Sequence, residues 1–158
     1  MLRISKMTDY GTVVMTHLAK HPDERYSARE LASDLHIGVP TVSKLLKLLE
    51  RGGLLEAQRG KNGGYSLARD PEGISVAEVI RAIEGPIALT ECSSAATQCD
   101  QEDSCLLQGN WQRINQAIMK TLEELSLIEM TEPVSTEGVR TETLEFYREP
   151  GRTPLGTD

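Results

Sequence analysis

Residues 27–51 read SARELASDLHIGVPTVSKLLKLLER, and this stretch decides the fold. The run from Ser27 to Glu30 is a capping box, in which a serine and a glutamate three positions later satisfy free amides at the start of a helix. The run His36-Ile37-Gly38 then predicts a tight turn. Pro40 is expected to be the first residue of a second helix, because proline fits the first helical position. Two short helices joined by a glycine-containing turn predict a helix-turn-helix.

The segments on either side of this helix pair complete a small domain. Residues 8–20 carry apolar side chains at helical spacing, which predicts a preceding helix with Thr8 as its N-cap. Two strands, 54–59 and 65–68, can form a hairpin around a glycine-rich tip. The sequence therefore predicts a mainly α fold with a small β-hairpin, a winged helix-turn-helix over residues 1–70.

Beyond residue 70 the sequence changes character several times. A second capping box, from Ser75 to Glu78, begins another helix. The end of the chain is rich in Glu, Thr and Pro and poor in apolar residues, which is typical of a disordered segment. The predicted parts are a connecting helix within residues 71–89, a cysteine loop at 90–106, a dimerisation helix at 107–128 and a disordered acidic tail at 129–158.

The predicted long helix has an apolar residue at every third or fourth position. Such a near-heptad seam suits a partner helix, and we expect no other long helix in the chain to receive it. Packing of the seam on the chain's own core is the alternative. We predict a homodimer formed through the seam residues Leu107, Trp111, Ile114, Ile118, Leu122 and Leu125.

The charge of the chain is unevenly divided. The net charge is −7, but residues 1–69 contain 11 Lys and Arg against 7 Asp and Glu. Residues 70–158 contain 6 Lys and Arg against 17 Asp and Glu. Because local charge sets the affinity for a phosphate backbone, the first part can carry a nucleic-acid surface and the second cannot.

The second helix of the pair and the hairpin tip hold the candidate DNA contacts. Hydroxyls such as those of Thr41 and Ser43 can bind base edges or phosphates, and lysines supply positive charge. A tip without bulky side chains lets Arg59 approach the minor groove. A protein-interaction domain with a solvated basic hairpin is the alternative. The candidate residues for double-stranded promoter DNA are Pro40, Thr41, Ser43, Lys44, Lys47, Arg59 and Lys61.

The three cysteines of the chain, Cys92, Cys99 and Cys105, fall within 14 residues. A local cysteine cluster in a cytosolic chain indicates metal binding or redox activity rather than a disulfide. Structural zinc sites usually pair cysteines two to four residues apart, so this wider spacing favours an iron–sulfur cluster held by thiolates. Zinc, and a redox-sensing cysteine set without metal, are the alternatives.

Three thiolates leave such a cluster one ligand short. The histidines of the chain all lie in its first half, and Gln108 is a poor ligand because its amide is neutral. A carboxylate can serve instead, and the first helix offers Asp9. An ordinary acidic residue in the first turn of a helix is the alternative role of Asp9.

Several motifs together resemble the Rrf2 family of iron–sulfur and redox-sensing repressors. They are LRISKMTDY at residues 2–10, RGKNGGY at 59–65, VAEVI at 76–80 and the three-cysteine loop. The match covers about residues 1–130. It is similar above all to the subgroup that regulates the SUF iron–sulfur assembly operon.

The resemblance implies a homodimer whose long helices cross, with each cysteine loop near the first helix of the partner. IscR-like members supply a histidine three residues after the third cysteine, where this chain has Gln108. NsrR-like members use an aspartate of the partner's first helix, at the position of Asp9. The resemblance thus favours a [4Fe–4S] cluster on Cys92, Cys99, Cys105 and Asp9 of the partner subunit, with a [2Fe–2S] cluster as the alternative.

The functions expected from the sequence are therefore those of a repressor that senses cluster status and controls iron–sulfur assembly genes. A sensor of nitric oxide or redox stress with the same cluster is the alternative. An iron–sulfur electron carrier or enzyme is disfavoured, because no substrate pocket, catalytic dyad or phosphate loop is evident. No apolar run of 18 residues and no secretory signal stand in the sequence, so we expect a cytoplasmic protein without a membrane contact.

Overall fold

A computed structural model describes residues 4–60, 63–93 and 105–132 of the chain. Lys61, Cys99 and the tail from residue 133 onward lie outside the described residues. In chain order the regular elements are α1 (Lys6–Lys20), α2 (Ala28–Asp34), α3 (Val39–Arg51), β1 (Leu55–Gln58), β2 (Gly64–Leu67), α4 (Val76–Glu84) and α5 (Gln108–Glu124). The mainly helical fold with one hairpin confirms the predicted class.

Both predicted capping boxes are present. At α2 the Glu30 amide donates to Ser27 Oγ at 3.2 Å, and the Ser27 amide donates to Glu30 Oε2 at 2.7 Å. At α4 the same reciprocal pair joins Ser75 and Glu78. Each box satisfies two otherwise free amide donors, so these helix starts are fixed by local sequence.

Two helix starts differ from the prediction. The N-cap of α1 is Ser5, whose hydroxyl accepts the Thr8 amide at 3.2 Å, so the prediction of Thr8 as N-cap was wrong. Thr8 is almost fully buried, and its hydroxyl binds Glu84 instead. Helix α3 begins at Val39, which leaves Pro40 in its second position. Proline is tolerated there because amides of the first turn have no partner within the helix.

The hairpin joins the helices through a short additional pairing. Strands β1 and β2 are antiparallel, with Leu55 opposite Leu67. The amide and carbonyl of Tyr26, just before α2, pair with those of Tyr65 in β2 at 3.0 and 2.8 Å. The tip begins at Gly60, whose φ of +117° lies in a region that side chains rarely adopt. The wing is thus anchored to the helix-turn-helix at its base.

One core holds the helices of this domain together. Helix α1 crosses α4 so closely that a Cβ atom on Gly11 would lie 2.2 Å from Ile83 Cδ1. A larger residue at position 11 would therefore require the end of the Ile83 side chain to move. The fully buried large side chains are Met15, Leu18, Leu31, Leu45, Leu46, Leu49, Leu54, Ile74, Leu127, Val14, Val42 and Val79.

Helix α5 is shorter than the predicted dimerisation helix at 107–128. It ends at Glu124, and the chain then returns to the domain, where the Leu127 amide donates to the Ile74 carbonyl at 2.7 Å. Leu127 is fully buried, so burial of this apolar side chain outweighs continuation of the helix. Glu129–Thr131 forms a short 3₁₀ helix against α1, so the chain is ordered beyond the predicted start of the tail.

Within the described residues, no helix is both long and apolar enough to cross a membrane.

Candidate nucleic-acid interface and cysteine segment

Helix α3 separates an apolar face from a cationic one. Its buried face consists of Val42, Leu45, Leu46 and Leu49, which have no exposed surface. Pro40, Lys44 and Lys47 are exposed and follow one another at steps of four and three. Side chains at this spacing share one side of a helix. The structure therefore brings these three predicted contacts together on one face.

The two hydroxyl residues lie at the borders of that face. Thr41 and Ser43 are half-buried, each a partial turn away from the cationic stripe. A half-buried hydroxyl has fewer conformations to lose on binding than a long exposed side chain. This placement suits hydrogen bonds of defined direction, whereas the lysines suit contacts to phosphates.

Of the two cationic residues predicted in the wing, the structure describes one. Arg59 is exposed directly after β1, beside the turn at Gly60. Lys61 lies outside the described residues. The exposed face of α3 together with Arg59 is called the reading surface below, and two residues beside it were not predicted from the sequence. Arg51 continues the stripe four positions beyond Lys47 and is also exposed, which the helical spacing could have shown.

The second missed residue is His36, in the turn between α2 and α3. It has a φ of +54°, and its Nδ1 donates to the Ser33 carbonyl at 2.9 Å. Left-handed backbone is uncommon for residues other than glycine, although histidine is enriched there. No local sequence signal marks this position, because the glycine expected to make the turn, Gly38, has ordinary backbone angles instead.

Asp9 lines a cleft at this same turn. The cleft measures about 380 Å³ and lies between α1 and the start of α3. Asp9 is exposed and shares the cleft with His36 and Thr41. The remaining lining residues are Tyr10, Val13, Leu35, Ile37 and Gly38. The proposed fourth ligand therefore borders the first turn of the helix that carries the candidate DNA contacts.

Two of the three cysteines lie on segments that flank α5. Cys92 is the middle residue of the short 3₁₀ helix Glu91–Ser93, which packs against α5. Cys105 is half-buried, has no disulfide, and its carbonyl accepts the Gln108 amide at 3.4 Å, at the start of α5. Cys99, between them, lies outside the described residues. Among residues 4–60, 63–93 and 105–132, no three His, Cys, Asp or Glu side chains are grouped closely enough to hold a metal ion.

Two polar contacts hold the segment that leads to Cys92. Glu84, the last residue of α4, accepts hydrogen bonds from the hydroxyls of Ser5 and Thr8, the latter at 2.5 Å. These bonds hold the pKa of the Glu84 carboxyl below its usual value. Five residues later the Leu89 amide donates to Oδ1 of Asn115, a buried residue of α5, at 3.1 Å. The sequence analysis missed both Glu84 and Asn115.

The predicted seam of α5 is divided between two environments. Ile118 and Leu122 line a cavity of about 570 Å³ between α4, α1 and residues 86–89. Leu107, Trp111 and Ile114, nearer the start of the helix, are 57%, 40% and 45% exposed. Leu125 is half-buried near the end of the helix. The chain's own domain thus receives the later part of the seam, and the earlier part is uncovered.

Comparison with known proteins identifies the family. Residues 4–133 match the family model Rrf2, described as an iron-dependent transcriptional regulator. The HTH-type transcriptional regulator NsrR of Shouchella clausii is 29% identical over 128 residues, covering 80% of this chain and 86% of that protein. The relatives are transcriptional regulators and not enzymes.

Solved structures agree with this assignment. The Bacillus subtilis protein CymR, described as the global cysteine regulator, has a TM-score of 0.65 and 28% identity, over 83% of this chain and 97% of its own. IscR of T. potens has a TM-score of 0.63 and 28% identity, over 82% of this chain and 85% of its own. The matched family model covers most of the chain. This chain belongs to the Rrf2 family of winged-helix transcriptional regulators.

Proposed function

We propose that this chain is a homodimeric repressor whose affinity for promoter DNA depends on an iron–sulfur cluster. Cys92, Cys99 and Cys105 supply three thiolates, and Asp9 of the partner subunit supplies the fourth ligand to a [4Fe–4S] cluster. The regulated genes encode iron–sulfur assembly proteins of the SUF type, and the protein acts in the cytoplasm. The observation that carries the proposal is that Asp9 and Thr41 line the same cleft.

The donor set of the cysteine segment fits this cofactor. Cysteine thiolates are the usual ligands of iron–sulfur clusters. Cys105 is free of disulfide bonding and half-buried, so its thiol is available at the start of α5. No three metal-ligating side chains are grouped within the described residues, and the proposed site takes Cys99 from outside them and Asp9 from a second subunit.

The orientation of α1 supports a ligand that comes from the partner. Thr8 faces Glu84 and the segment leading to Cys92 in its own subunit. Asp9 is the next residue, about 100° further around the helix, and it faces the cleft beside Thr41. An Asp9 that turns away from its own cysteine segment can bind the cluster of a second copy.

A ligand bond at Asp9 would act directly on the reading surface. The first turn of α3 and the turn at His36 border the cleft that Asp9 lines. An effector shifts an equilibrium only if it binds the two states unequally, and a bond that forms in only one state supplies this difference. Cluster loss therefore changes the orientation of the candidate DNA contacts.

The uncovered part of α5 supports the dimer. Trp111 and Ile114 leave an apolar surface on a helix whose other exposed residues, apart from Gly109 and Ala117, are polar. Burial of this apolar surface against a second copy would favour association, offset in part by the freedom that the two chains lose. The resemblance that predicts crossed long helices uses this same surface.

A sensor of nitric oxide or redox stress that uses the same cluster is the second candidate. The similarity to NsrR over 80% of the chain favours it. The two candidates share the ligand set and differ in what removes the cluster. The two candidates are distinguished by exposing the loaded protein to nitric oxide and, separately, to limiting iron. The treatment that releases bound promoter DNA identifies the signal.

The ligand set is tested by anaerobic purification, with iron and sulfide quantification and Mössbauer spectra. The wild type should contain about four irons per chain, and Cys105→Ser should contain none. Asp9→Ala should retain a cluster on three thiolates with altered spectra, faster loss in air and DNA affinity that no longer follows cluster state. A helix-dipole role for Asp9 would instead cost about 0.3–1 kcal/mol of stability and leave the spectra unchanged.

The matched control is Asp23→Ala, which removes an exposed carboxylate from the loop after α1. Its spectra and its DNA affinity should match those of the wild type. Wild-type spectra in Asp9→Ala, together with an intact dependence on the cluster, would exclude the ligand role.

A further inference from the structure

The end of α4 is bound to the start of α1 through one carboxylate. Glu84 accepts from the Ser5 and Thr8 hydroxyls, and Ser5 Oγ also accepts the Thr8 amide at 3.2 Å. The serine that caps α1 is thus the same serine that binds α4. The Asp9 amide donates to the Ser5 carbonyl at 3.0 Å, so Asp9 belongs to the turn that this contact holds.

The chain that follows Glu84 leads directly to Cys92. Gly85 ends α4 with a φ of +88°, and the chain then reaches Cys92 within seven residues. The Leu89 amide is fixed on Asn115 Oδ1 at 3.1 Å. Residues 85–90 are therefore held at one end by α1 and near the other by α5.

The packing of α1 against α4 allows little independent motion at this point. Gly11 follows Ser5 in α1, and a Cβ atom on Gly11 would displace the end of the Ile83 side chain of α4, so the two helices are in close contact here. A displacement of the end of α4 must therefore move α1 or break the contacts of Glu84. Close-packed interfaces transmit displacement in this way because they are not continuously deformable.

Glu84 can be changed without opening the core. Glu84 is exposed and lines the 570 Å³ cavity, so water can solvate the group that replaces its carboxylate. Hydrogen bonds to an ionised acceptor are roughly twice as strong as those between neutral groups. Replacement by glutamine keeps the shape and the acceptor oxygen and weakens both bonds to α1.

We propose that Glu84 is a positioning residue that passes a change at the cysteine segment to the first turn of α1 in the same subunit. This inference rests on the proposed function, in which the cluster is bound beside Cys92 and read at Asp9. Each subunit is then connected to both clusters of the dimer. Its Glu84 connects it to the cluster on its own cysteines, and its Asp9 connects it to the cluster in the partner's cysteine loop. The winged-helix domain of each subunit, residues 4–84, then responds when residues 85–91 move.

The test compares Glu84→Gln and Thr8→Val with the control Glu123→Gln. Thr8→Val removes the hydroxyl that donates to Glu84 and keeps a buried side chain of the same shape. Glu123 forms an ion pair with Arg81 on the α4–α5 surface and, among the described residues, makes no hydrogen bond or ion pair with α1. The probe is a DNA duplex selected from a random-sequence pool by the wild-type protein. Its binding is measured with the cluster-loaded form and with the apo form of each protein.

Two quantities are measured on the full chain. The first is the ratio of DNA dissociation constants for the loaded and apo forms, which Glu84→Gln and Thr8→Val should bring closer to one by about fivefold. The second is hydrogen exchange of the Thr8 and Asp9 amides in the apo protein, which should be faster in both variants. Iron content and melting temperature should remain close to those of Glu123→Gln, which should match the wild type in every measurement.

A wild-type ratio in Glu84→Gln and Thr8→Val, with iron bound, would overturn the positioning role. Unchanged exchange at Thr8 and Asp9 would also overturn it, and this readout requires no cluster. A wild-type chain that holds no iron, or whose DNA affinity ignores the cluster, would instead overturn the proposed function. The two failures are therefore distinguishable.

Discussion

The reading head, residues 4–84, and the arm, residues 105–124 with α5, bury their apolar residues in different ways. Four residues of α3 alone are fully buried, and their partners come from α1, α2, α4 and the hairpin. In α5 the buried residue is Asn115, whereas Trp111 and Ile114 remain 40% and 45% exposed. The apolar core of the head lies within one chain, whereas the earlier part of the arm leaves apolar side chains uncovered.

This contrast separates the origins of two kinds of stability. The head is stabilised by burial within one chain, so its unfolding should not depend on protein concentration. In the proposed dimer the arm would gain stability from association, which depends on concentration by mass action. The cysteine segment lies between the two regions, beside α5 and connected to α1 through Glu84.

Replacing a leucine by alanine should cost much more stability in the head than in the arm. Leu46→Ala should destabilise the chain by about 2–5 kcal/mol, because it leaves a cavity at a fully buried position. Leu106→Ala, at a leucine that is 97% exposed, should change the unfolding free energy by at most about 0.5 kcal/mol. Denaturant unfolding at one protein concentration measures both. Equal losses would contradict the division between head and arm.

Charges placed on the uncovered part of α5 should dissociate the dimer. Trp111→Asp combined with Ile114→Asp would bury two unpaired charges in the proposed interface, at a cost of several kcal/mol. Because both residues are exposed in the single chain, the head should remain folded. Analytical ultracentrifugation should find monomers for this variant and dimers for Gln116→Asp, on the opposite side of the helix. A dimeric mass for the double variant would exclude this interface.

Within the head, the borders and the middle of the α3 face should act differently on DNA. Thr41→Ala or Ser43→Ala should reduce discrimination between selected and random DNA by about 1–3 kcal/mol. Lys44→Ala should weaken both duplexes alike and reduce the slope of log affinity against log salt by about 1. Fluorescence titrations at several salt concentrations measure these values. Equal losses on both duplexes for the hydroxyl variants would remove α3 as the recognition helix.

The smallest expected effect is an acid-sensitive contribution within the head. Burial raises the pKa of Glu78, but hydrogen bonds from Ser75 and the Arg69 guanidinium at 2.5 Å outweigh burial and hold it below its usual value. A carboxyl with a lowered pKa stabilises the fold above its unfolded pKa, and this contribution disappears as the pH falls through its folded pKa. Glu78→Gln should therefore be less stable than wild type near pH 7, and the gap should close below pH ~4. A gap independent of pH would contradict this origin.

Local signals in the sequence were sufficient for most of the head. The capping boxes at Ser27 and Ser75 depend on residues three positions apart, and both helices begin where they predict. The N-cap of α1 could not be predicted in this way. Thr8 is a good capping residue, but its position opposite Glu84, 76 residues away in sequence, gives its hydroxyl another partner.

The contacts that are distant in sequence explain the remaining differences. Leu127 ends α5 early because it fills the head's core, and no periodicity within residues 107–128 reveals that destination. The cleft that joins Asp9 to Thr41 depends on the crossing of α1 over the turn at His36. The predicted residues of α3 are brought to one surface because helical spacing alone determines it.

The proposed function requires that DNA affinity follows the cluster. The most direct measurement loads the protein anaerobically, admits air, and records cluster absorbance and the fraction of a selected promoter duplex bound in the same sample. We predict that the bound fraction changes in proportion to the absorbance lost, and that Asp9→Ala loses absorbance faster without a matching change in binding. A bound fraction that stays constant in the wild type while the cluster disappears would contradict the account.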